Sequence, residues 1–356
     1  MRKILAILLT AAMLLTAVGC GGNNAPPASG ADSGSSGEAP SASGSNKLVL
    51  YTATAEENLQ VMIPAFEEAT GIQVDVITAG TGEVYARIQA EKENPACDVT
   101  WIGGYYAMQD PTLWEPYVSA HNEELPADYQ TTDGIINMVN RVASVIIYNK
   151  DLVPFEIKGY ADLLRPELKG KIAHGDAVKS GSAYNHLENM LVDFGGGDVF
   201  SDKGWEYVEQ FLGQLDGRII DSSGTIHKGV VSGEYAVGLT WDTPAQTYLS
   251  QDVQNVEVVM MEEGVVNTVS GICIIKNAPN LENAKKFVDF MTSKEGQSLL
   301  GTDVPGANPI RTDVELAPYK VSLNDIKGFV IDPLESAANK EKILERYQEL
   351  YLKIFE

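Results

Sequence analysis

Hydroxyl residues and glycines recur beside the strand-like segments of this sequence, at points where helices are predicted to begin. Such positions place hydroxyl groups and unpaired backbone N–H groups at a helix start, which favours binding of an anion. Serine and threonine are also ordinary N-cap residues, so simple helix capping stays open at each position. The candidate residues of this kind are Thr52, Thr54, Thr81, Gly82, Ser180, Gly181, Ser182, Ser222 and Ser223.

A second group of candidates could contact the remainder of a bound solute. Trp241 ends a strand-like run and could stack on a ligand, while the carboxylate of Asp242 could accept hydrogen bonds from hydroxyls or an amine. Asp176 follows another strand-like segment and could act in the same way. Tyr148 and Trp101 could line a cleft, although core packing explains both equally well.

Catalytic and metal-binding motifs are absent from the sequence. It has no Gly-x-Ser-x-Gly elbow, phosphate-binding P-loop, His-Glu-x-x-His or Cys-x-x-Cys. The four histidines show no paired ligand spacing. The formal charge of −23 argues against nucleic-acid binding, which needs a basic surface. We therefore predict a protein that is not an enzyme and has no cofactor, no metal site and no nucleic-acid partner.

The amino terminus predicts export and attachment to a membrane. Arg2 and Lys3 precede an apolar run from Ile4 to Val18, which is too short for a spanning helix and is typical of a secretory signal. Cys20 follows in a context that resembles the bacterial lipobox, where the cysteine is acylated after cleavage. We expect a signal peptide over 1–19 and lipidation at Cys20. The protein would then lie on the cell membrane, facing the extracellular side or the periplasm.

The rest of the chain predicts a flexible linker and an α/β body. Residues 20–46 are mostly Gly, Ser, Ala, Pro and Asn, a composition that stays flexible. From Lys47 onward, strand-like and helix-like segments alternate, which indicates a mostly parallel sheet covered by helices. Lys47 to Tyr51 (KLVLY) is predicted to be a buried strand. Thr54 to Glu57 matches a capping box, and Gly71 is expected to end the helix that follows. Cys97 and Cys273 are interpreted as buried thiols, although export also permits a disulfide.

Several segments of this body, in order, resemble extracellular solute-binding proteins of bacterial ABC importers. They include LVLYTATAEENLQVMIPAFEEATGIQVDVI, AGTGEVYARIQAEKENPACDVTWIGG, YNKDLVP, ADLLRPELKGKIAHGDAVKSGSAYNHLENML, KGVVSGEYAVGLTWDTPA and PNLENAKKFVDFMTSKEGQ. The branch of this family that the sequence resembles contains proteins that bind ferric iron, phosphoglycerate, sugar phosphates and aminophosphonates. The resemblance implies the type II periplasmic-binding-protein fold, with two α/β lobes, a hinge and an interlobe ligand cleft. We expect lobe 1 at 47–141 plus 267–330, lobe 2 at 142–266, and a C-terminal helix at 331–356 packing on the lobes.

The resemblance also implies the partners and the site residues. The partners would be a small-molecule solute, an ABC permease and its ATPase, with the binding protein acting as a monomer. The ferric binders carry a tyrosine pair where this sequence has Trp241 and Asp242, which disfavours iron. The binding positions carried over from the family are Thr81, Gly82, Ser180, Gly181, Ser182 and Tyr184.

These observations predict capture of a small organic anion, such as a phosphorylated sugar, a phosphoglycerate or a phosphonate. Ferric iron or a cationic solute, such as a polyamine or thiamine, is the alternative within the same class. An exported enzyme or a sensor component is the alternative from another class.

Overall fold

The computed structural model describes residues 46–220 and 223–355, with the backbone alone at positions 223, 329, 330 and 333. The predicted signal peptide, the linker, the lipidation site Cys20 and the candidate Ser222 lie outside the described residues. None of the helices in the described residues is long and apolar enough to cross a membrane.

The described chain contains eleven strands and ten helices, besides short 3₁₀ turns. The strands are β1 (Lys47–Thr52), β2 (Gln73–Thr78), β3 (Val99–Gly103), β4 (Trp114–Glu115), β5 (Asn137–Asn149), β6 (Ile172–Ala173), β7 (Val237–Trp241), β8 (Val256–Val259), β9 (Val265–Ile275), β10 (Asn308–Pro309) and β11 (Gly328–Val330). The helices are α1 (Glu56–Thr70), α2 (Thr81–Glu91), α3 (Gly104–Gln109), α4 (Gly181–Gly195), α5 (Asp202–Leu215), α6 (Ser223–Ser232), α7 (Asp242–Ser250), α8 (Leu281–Thr292), α9 (Lys294–Thr302) and α10 (Pro333–Phe355).

The strands form one hydrogen-bonded series in the order β2-β1-β3-β9-β5-β7-β6. β1 pairs in parallel with both β2 and β3, as expected for βαβ units, whereas β9 runs antiparallel to β3. β5 is shared by two groups of strands. Its residues 137–143 pair with β9, and residues 144–149 pair with β7 and β8. The mixed α/β fold predicted from the sequence is therefore confirmed.

Apolar side chains form separate clusters on the two sides of β5. Leu50, Phe66 and Phe287 belong to a cluster that packs α1 and α8 against the strands around β1. A larger cluster around β7, α4 and α5 includes Ile343 and Tyr347 of α10, which are buried. This arrangement agrees with two lobes, although the boundaries given above stay a prediction.

Two local expectations meet different outcomes at the two ends of α1. Gly71 ends the helix in a left-handed conformation (φ 69°), as the sequence predicted. The prediction of a capping box is wrong, because the N-cap residue is Ala55 and no side chain caps the helix. Thr54 instead donates its backbone N–H to the hydroxyl of Thr52 at 3.0 Å, which turns the chain before the helix begins.

Cys97 and Cys273 are both buried free thiols in the structure. They belong to one apolar cluster beside β3 and β9. Burial raises the pKa of the Cys97 thiol to about 12, so this thiol is unreactive at neutral pH.

Candidate functional site

A cavity of about 260 Å³ lies where β1 and β3 end, beside the antiparallel pair formed by β5 and β9. Among its lining residues, Thr54, Thr81 and Trp101 are candidates named from the sequence. None of the lining side chains is titratable. The cavity is lined by Ala53, Thr54, Ala55, Asn58, Thr81, Trp101, Ile102, Gly103, Asn140, Val142, Thr243, Ser270 and Gly306.

Helices α1, α2, α3 and α7 begin at this cavity. Their N-cap residues are Ala55, Gly80, Gly103 and Trp241, and no side chain caps any of the four helices. Their first-turn N–H groups therefore lack the usual side-chain acceptor and carry the partial positive charge of a helix start. Glu56 and Glu57 stand in the first turn of α1 and do not line the cavity. The same holds for Glu83 in the first turn of α2 and for Asp242 in the first turn of α7.

A buried hydrogen-bond network forms one wall of the cavity. The indole N–H of Trp101 is shared between Asn140 Oδ1 at 3.0 Å and Ser270 Oγ at 3.2 Å. The hydroxyl of Ser270 also donates to Asn140 Oδ1 at 2.6 Å. Because its N–H is already used, Trp101 contributes an aromatic surface to the cavity rather than a hydrogen-bond donor.

Thr52 supports the cavity without lining it. Its side chain is fully buried, and its hydroxyl donates to the backbone carbonyl of Trp101 at 3.0 Å. The same oxygen accepts the N–H of Thr54. Thr52 therefore joins the ends of β1 and β3 and orients Thr54, whose half-buried side chain reaches the cavity. Gly82 is exposed next to Thr81 and does not line it.

The residues at the start of α4 do not line this cavity. Ser180 caps α4 by accepting the N–H of Ala183 at 3.3 Å, and Gly181 is the first helical residue. Ser182 is buried, and its hydroxyl has no hydrogen-bond partner in the described part of the chain. The backbone of Ser223 begins α6.

Helix α10 covers Tyr184, which follows these residues. The Tyr184 hydroxyl donates to the carbonyl of Ser336 at 3.4 Å, and the Lys340 ammonium lies 4.7 Å from the centre of the Tyr184 ring. Tyr184 is only 4% exposed. In this structure it therefore packs against the C-terminal helix.

Asp176 and Tyr148 lie in two other surface grooves. Asp176 accepts the N–H of Val178 at 2.9 Å and borders a groove against Tyr347 and Tyr351 of α10. Tyr148 borders a groove with Glu156 and other carboxylates. The structure therefore does not bring Asp176 or Tyr148 together with Thr54, Thr81 and Trp101.

Asp242 is buried behind the cavity and does not line it. Its carboxylate is fully buried, lies 3.5 Å from the guanidinium of Arg141, and accepts an N–H from Asn308 at 2.8 Å. Burial raises the pKa of Asp242 to about 6, although Arg141 acts in the opposite direction. Trp241 is the half-buried N-cap of α7, and the neighbouring Thr243 lines the cavity.

Several lining residues were missed by the sequence analysis. Asn140 and Ser270 lie inside long strands, and Asn58 lies on the buried side of α1. Each is a polar residue at a position where the periodicity expects an apolar one, and that mismatch is the available signal. Gly306 gave no comparable signal, because it lies in a connecting loop.

The cavity chemistry suits a neutral or anionic group better than a metal ion. In the described residues, no group of three or more His, Cys, Asp or Glu side chains is arranged to hold a metal. Hard cations such as ferric iron prefer anionic oxygen ligands. The cavity instead offers helix-start N–H groups, together with hydroxyl and amide side chains.

Comparison with known proteins defines the class to which this chain belongs. Residues 62–324 match the family described as bacterial extracellular solute-binding proteins. The chain therefore belongs to this family.

Individual relatives are named for different functions. A probable ABC transporter periplasmic-binding protein of Sinorhizobium fredii is 27% identical over 236 residues, 64% of this chain and 64% of that protein. Iron uptake protein A1 of Synechocystis is 27% identical over 268 residues, 71% of this chain and 73% of that protein.

A similar solved structure is a periplasmic binding protein from Actinobacillus pleuropneumoniae with exogenous fructose 6-phosphate bound. It is 25% identical, with a TM-score of 0.65, and the match covers 86% of this chain and 98% of that one.

Proposed function

We propose that this chain is the substrate-binding lipoprotein of an ABC importer and captures a small organic anion. The anion would be a phosphorylated sugar, a phosphoglycerate or a phosphonate. The observation that carries this proposal is the convergence of uncapped helix starts on a cavity without titratable side chains. Such a site supplies hydrogen-bond donors and positive potential to an anion at little desolvation cost for the protein.

Transport, rather than catalysis, is supported by membership of the solute-binding family. The Sinorhizobium relative is named as a component of an ABC transporter, and the Actinobacillus structure holds a sugar phosphate. In the proposed cycle, two lobes joined through β5 and β9 close around the solute. The monomer, held to the membrane through Cys20, then delivers the solute to the permease and its ATPase.

The test is a thermal-shift screen of the purified protein against fructose 6-phosphate, 3-phosphoglycerate, 2-aminoethylphosphonate, ferric citrate, spermidine and thiamine. A ligand at one hundred times its dissociation constant stabilises the folded state by about 2.7 kcal/mol. We expect an increase in Tm with one or more of the organic phosphorus compounds. An increase confined to ferric citrate or to an amine would contradict the anion proposal, while leaving the transport role in place.

Substitutions in the cavity make the same test specific. Replacing Thr54 and Thr81 together by alanine should weaken binding of the responding compound by about 1–3 kcal/mol, because buried hydrogen bonds to a charged group are lost. Ser180→Ala is the matched control, since that hydroxyl caps α4 outside the cavity. It should lower the free energy of unfolding by about 1 kcal/mol without changing affinity. Equal losses of affinity in the cavity variant and in the control would contradict the assignment.

A further inference from the structure

Two consecutive tyrosines lie in the first turn of helix α3, beside the cavity but not among its lining residues. Tyr105 and Tyr106 follow Gly103, which lines the cavity, by two and three residues. Tyr105 is 43% exposed, so much of its ring is open to solvent beside the cavity. In the described part of the chain, neither tyrosine hydroxyl has a hydrogen-bond partner, so both hydroxyls are free to meet a ligand.

Tyr106 is held in a defined position by its aromatic neighbours. Its ring centre lies 5.6 Å from that of the buried Tyr85 and 5.2 Å from that of Tyr105, with the Tyr105 ring inclined at 72°. Edge-to-face contacts of this kind restrict both rings. Tyr105 is thus anchored on Tyr106 while much of its surface stays open to solvent.

The hydroxyl of Tyr106 lies beside the start of α2. A side-chain carbon placed on Gly82 would be 3.8 Å from this hydroxyl. Gly82 follows Thr81, the cavity-lining first residue of α2. The Tyr106 hydroxyl is therefore close to the uncapped first turn that we propose as an anion site.

From these contacts we infer that Tyr105 and Tyr106 determine which organic anion the site accepts. Tyr106 donates its hydroxyl to the phosphate or phosphonate group at the start of α2. The exposed ring of Tyr105 packs against the carbon body of the solute, which identifies a sugar or another bulky body rather than a bare oxyanion. This inference rests on the proposed function, because it assumes an anion in the cavity.

The experiment is isothermal titration calorimetry with two probes that share one head group. Methyl phosphate presents the phosphate monoester almost alone, and fructose 6-phosphate adds a sugar. We expect the unmodified protein to bind fructose 6-phosphate more tightly. Tyr105→Ala should raise the Kd for fructose 6-phosphate about fivefold to tenfold and leave the Kd for methyl phosphate unchanged. Tyr106→Phe should raise both Kd values by a similar factor, about tenfold or more, because it removes only the hydroxyl that donates to the charged group.

Phe200→Ala is the matched control for the loss of an exposed aromatic side chain. Phe200 is 40% exposed and lies between α4 and α5, away from the cavity lining. This substitution should leave both Kd values unchanged. Circular dichroism and unfolding curves of each variant would verify that its fold is intact.

The possible results separate the inference from the proposed function. Binding of neither probe, nor of any other organic anion, to the unmodified protein would overturn the proposed function itself. Binding that is unaffected by Tyr105→Ala and Tyr106→Phe would overturn only the inference. A visible tyrosinate-to-iron absorption with ferric citrate, lost in both Tyr105→Phe and Tyr106→Phe, would also overturn it by identifying the tyrosines as metal ligands.

Discussion

At the scale of single residues, the main feature is a buried ion pair behind the cavity. Arg141 of β5 is 1% exposed, and Asp242 at the start of α7 is fully buried. Arg141 Nη1 lies 3.5 Å from the Asp242 carboxylate and also donates to Asn267 of β9 at 3.4 Å. The pair therefore links the start of α7 to β5 and, through Asn267, to β9. Removing either partner would leave a charge buried without compensation.

We predict that Asp242→Ala lowers the free energy of unfolding by about 3–5 kcal/mol at pH 8, where the carboxylate is ionised. Arg141→Met together with Asp242→Ala should cost less than the sum of the two single substitutions, because neither charge is then left alone. Denaturant unfolding of all four proteins gives the coupling energy. Additive losses would show that the pair is not energetically coupled.

At the scale of secondary-structure elements, the helices differ in how they begin. α4 and α9 are capped by Ser180 and Ser293, whose hydroxyls accept backbone N–H groups three residues on. The helices that begin at the cavity have no side-chain cap, and neither do α5 and α8, which begin elsewhere. Each missing cap forgoes about 1 kcal/mol of stability. At the cavity, a bound anion would supply the missing acceptor.

The antiparallel pairing of β5 with β9 brings residues from distant parts of the chain together at the cavity. Their register shifts between Met138 and Asn140, as in a β-bulge. Gly271 of β9 lies opposite this point, and a side-chain carbon there would be 2.3 Å from the carbonyl oxygen of Asn137. The close backbone approach therefore requires glycine.

We predict that Gly271→Ala destabilises the protein by at least about 2 kcal/mol, because overpacking against rigid backbone forces the two strands apart. The Tm should fall by several degrees. Gly213→Ala is the control, since its added carbon would meet no atom within 4 Å and the residue lies inside α5. That substitution should be neutral or slightly stabilising. A Gly271→Ala protein as stable as the control would contradict this prediction, because it would show that the backbones of β5 and β9 can move apart without loss of stability.

At the scale of the whole molecule, stability depends on several buried titratable groups. His174 and His186 are buried near each other, with ring centres 6.3 Å apart. Burial lowers the pKa of His174 to about 3 and that of His186 to about 4. Both lie below the value of about 6.5 in an unfolded chain. Their contribution to stability is therefore present above pH 6.5 and is lost as the pH falls towards 4.

The buried carboxyl groups act in the opposite direction. Burial raises the pKa of Asp193 to about 7 and that of Asp242 to about 6. The stabilisation from their protonated forms is complete below about pH 4 and is lost as the pH rises through these values. The histidine contribution must therefore be obtained from a comparison of variants.

We predict that His174→Leu makes the protein less sensitive to acid. Between pH 7 and pH 5, the free energy of unfolding of the unmodified protein should fall by about 2 kcal/mol more than that of this variant. In the unmodified protein, His174 takes up a proton in the unfolded chain but stays neutral in the folded state, and leucine has no proton to take up. Denaturant unfolding at both pH values measures the difference. His121→Gln, at a half-buried position beside Glu124, is the control. A pH dependence of the variant equal to that of the unmodified protein would contradict the assignment.

The sequence by itself determined the family and most of the longer strands and helices. These features follow from local periodicity, from turn residues and from the order of the family-like segments along the chain, so they can be read without a structure. The strand KLVLY and the glycine that ends α1 are examples, and both are present as predicted. Three short helices, α3, α7 and α9, were not anticipated, because each is short and its apolar pattern is weak.

Only the tertiary structure decided which side chains share the cavity. Asn140 and Ser270 are separated by 130 positions and meet because β5 and β9 pair, with these two residues opposite each other. In the sequence, Asp242 and Tyr184 looked equally available to contact a ligand. In the structure, Asp242 is buried in an ion pair with Arg141, and α10 covers Tyr184. Local patterns specify elements, whereas the neighbours of a loop depend on strand pairing between distant segments and on where the last helix packs.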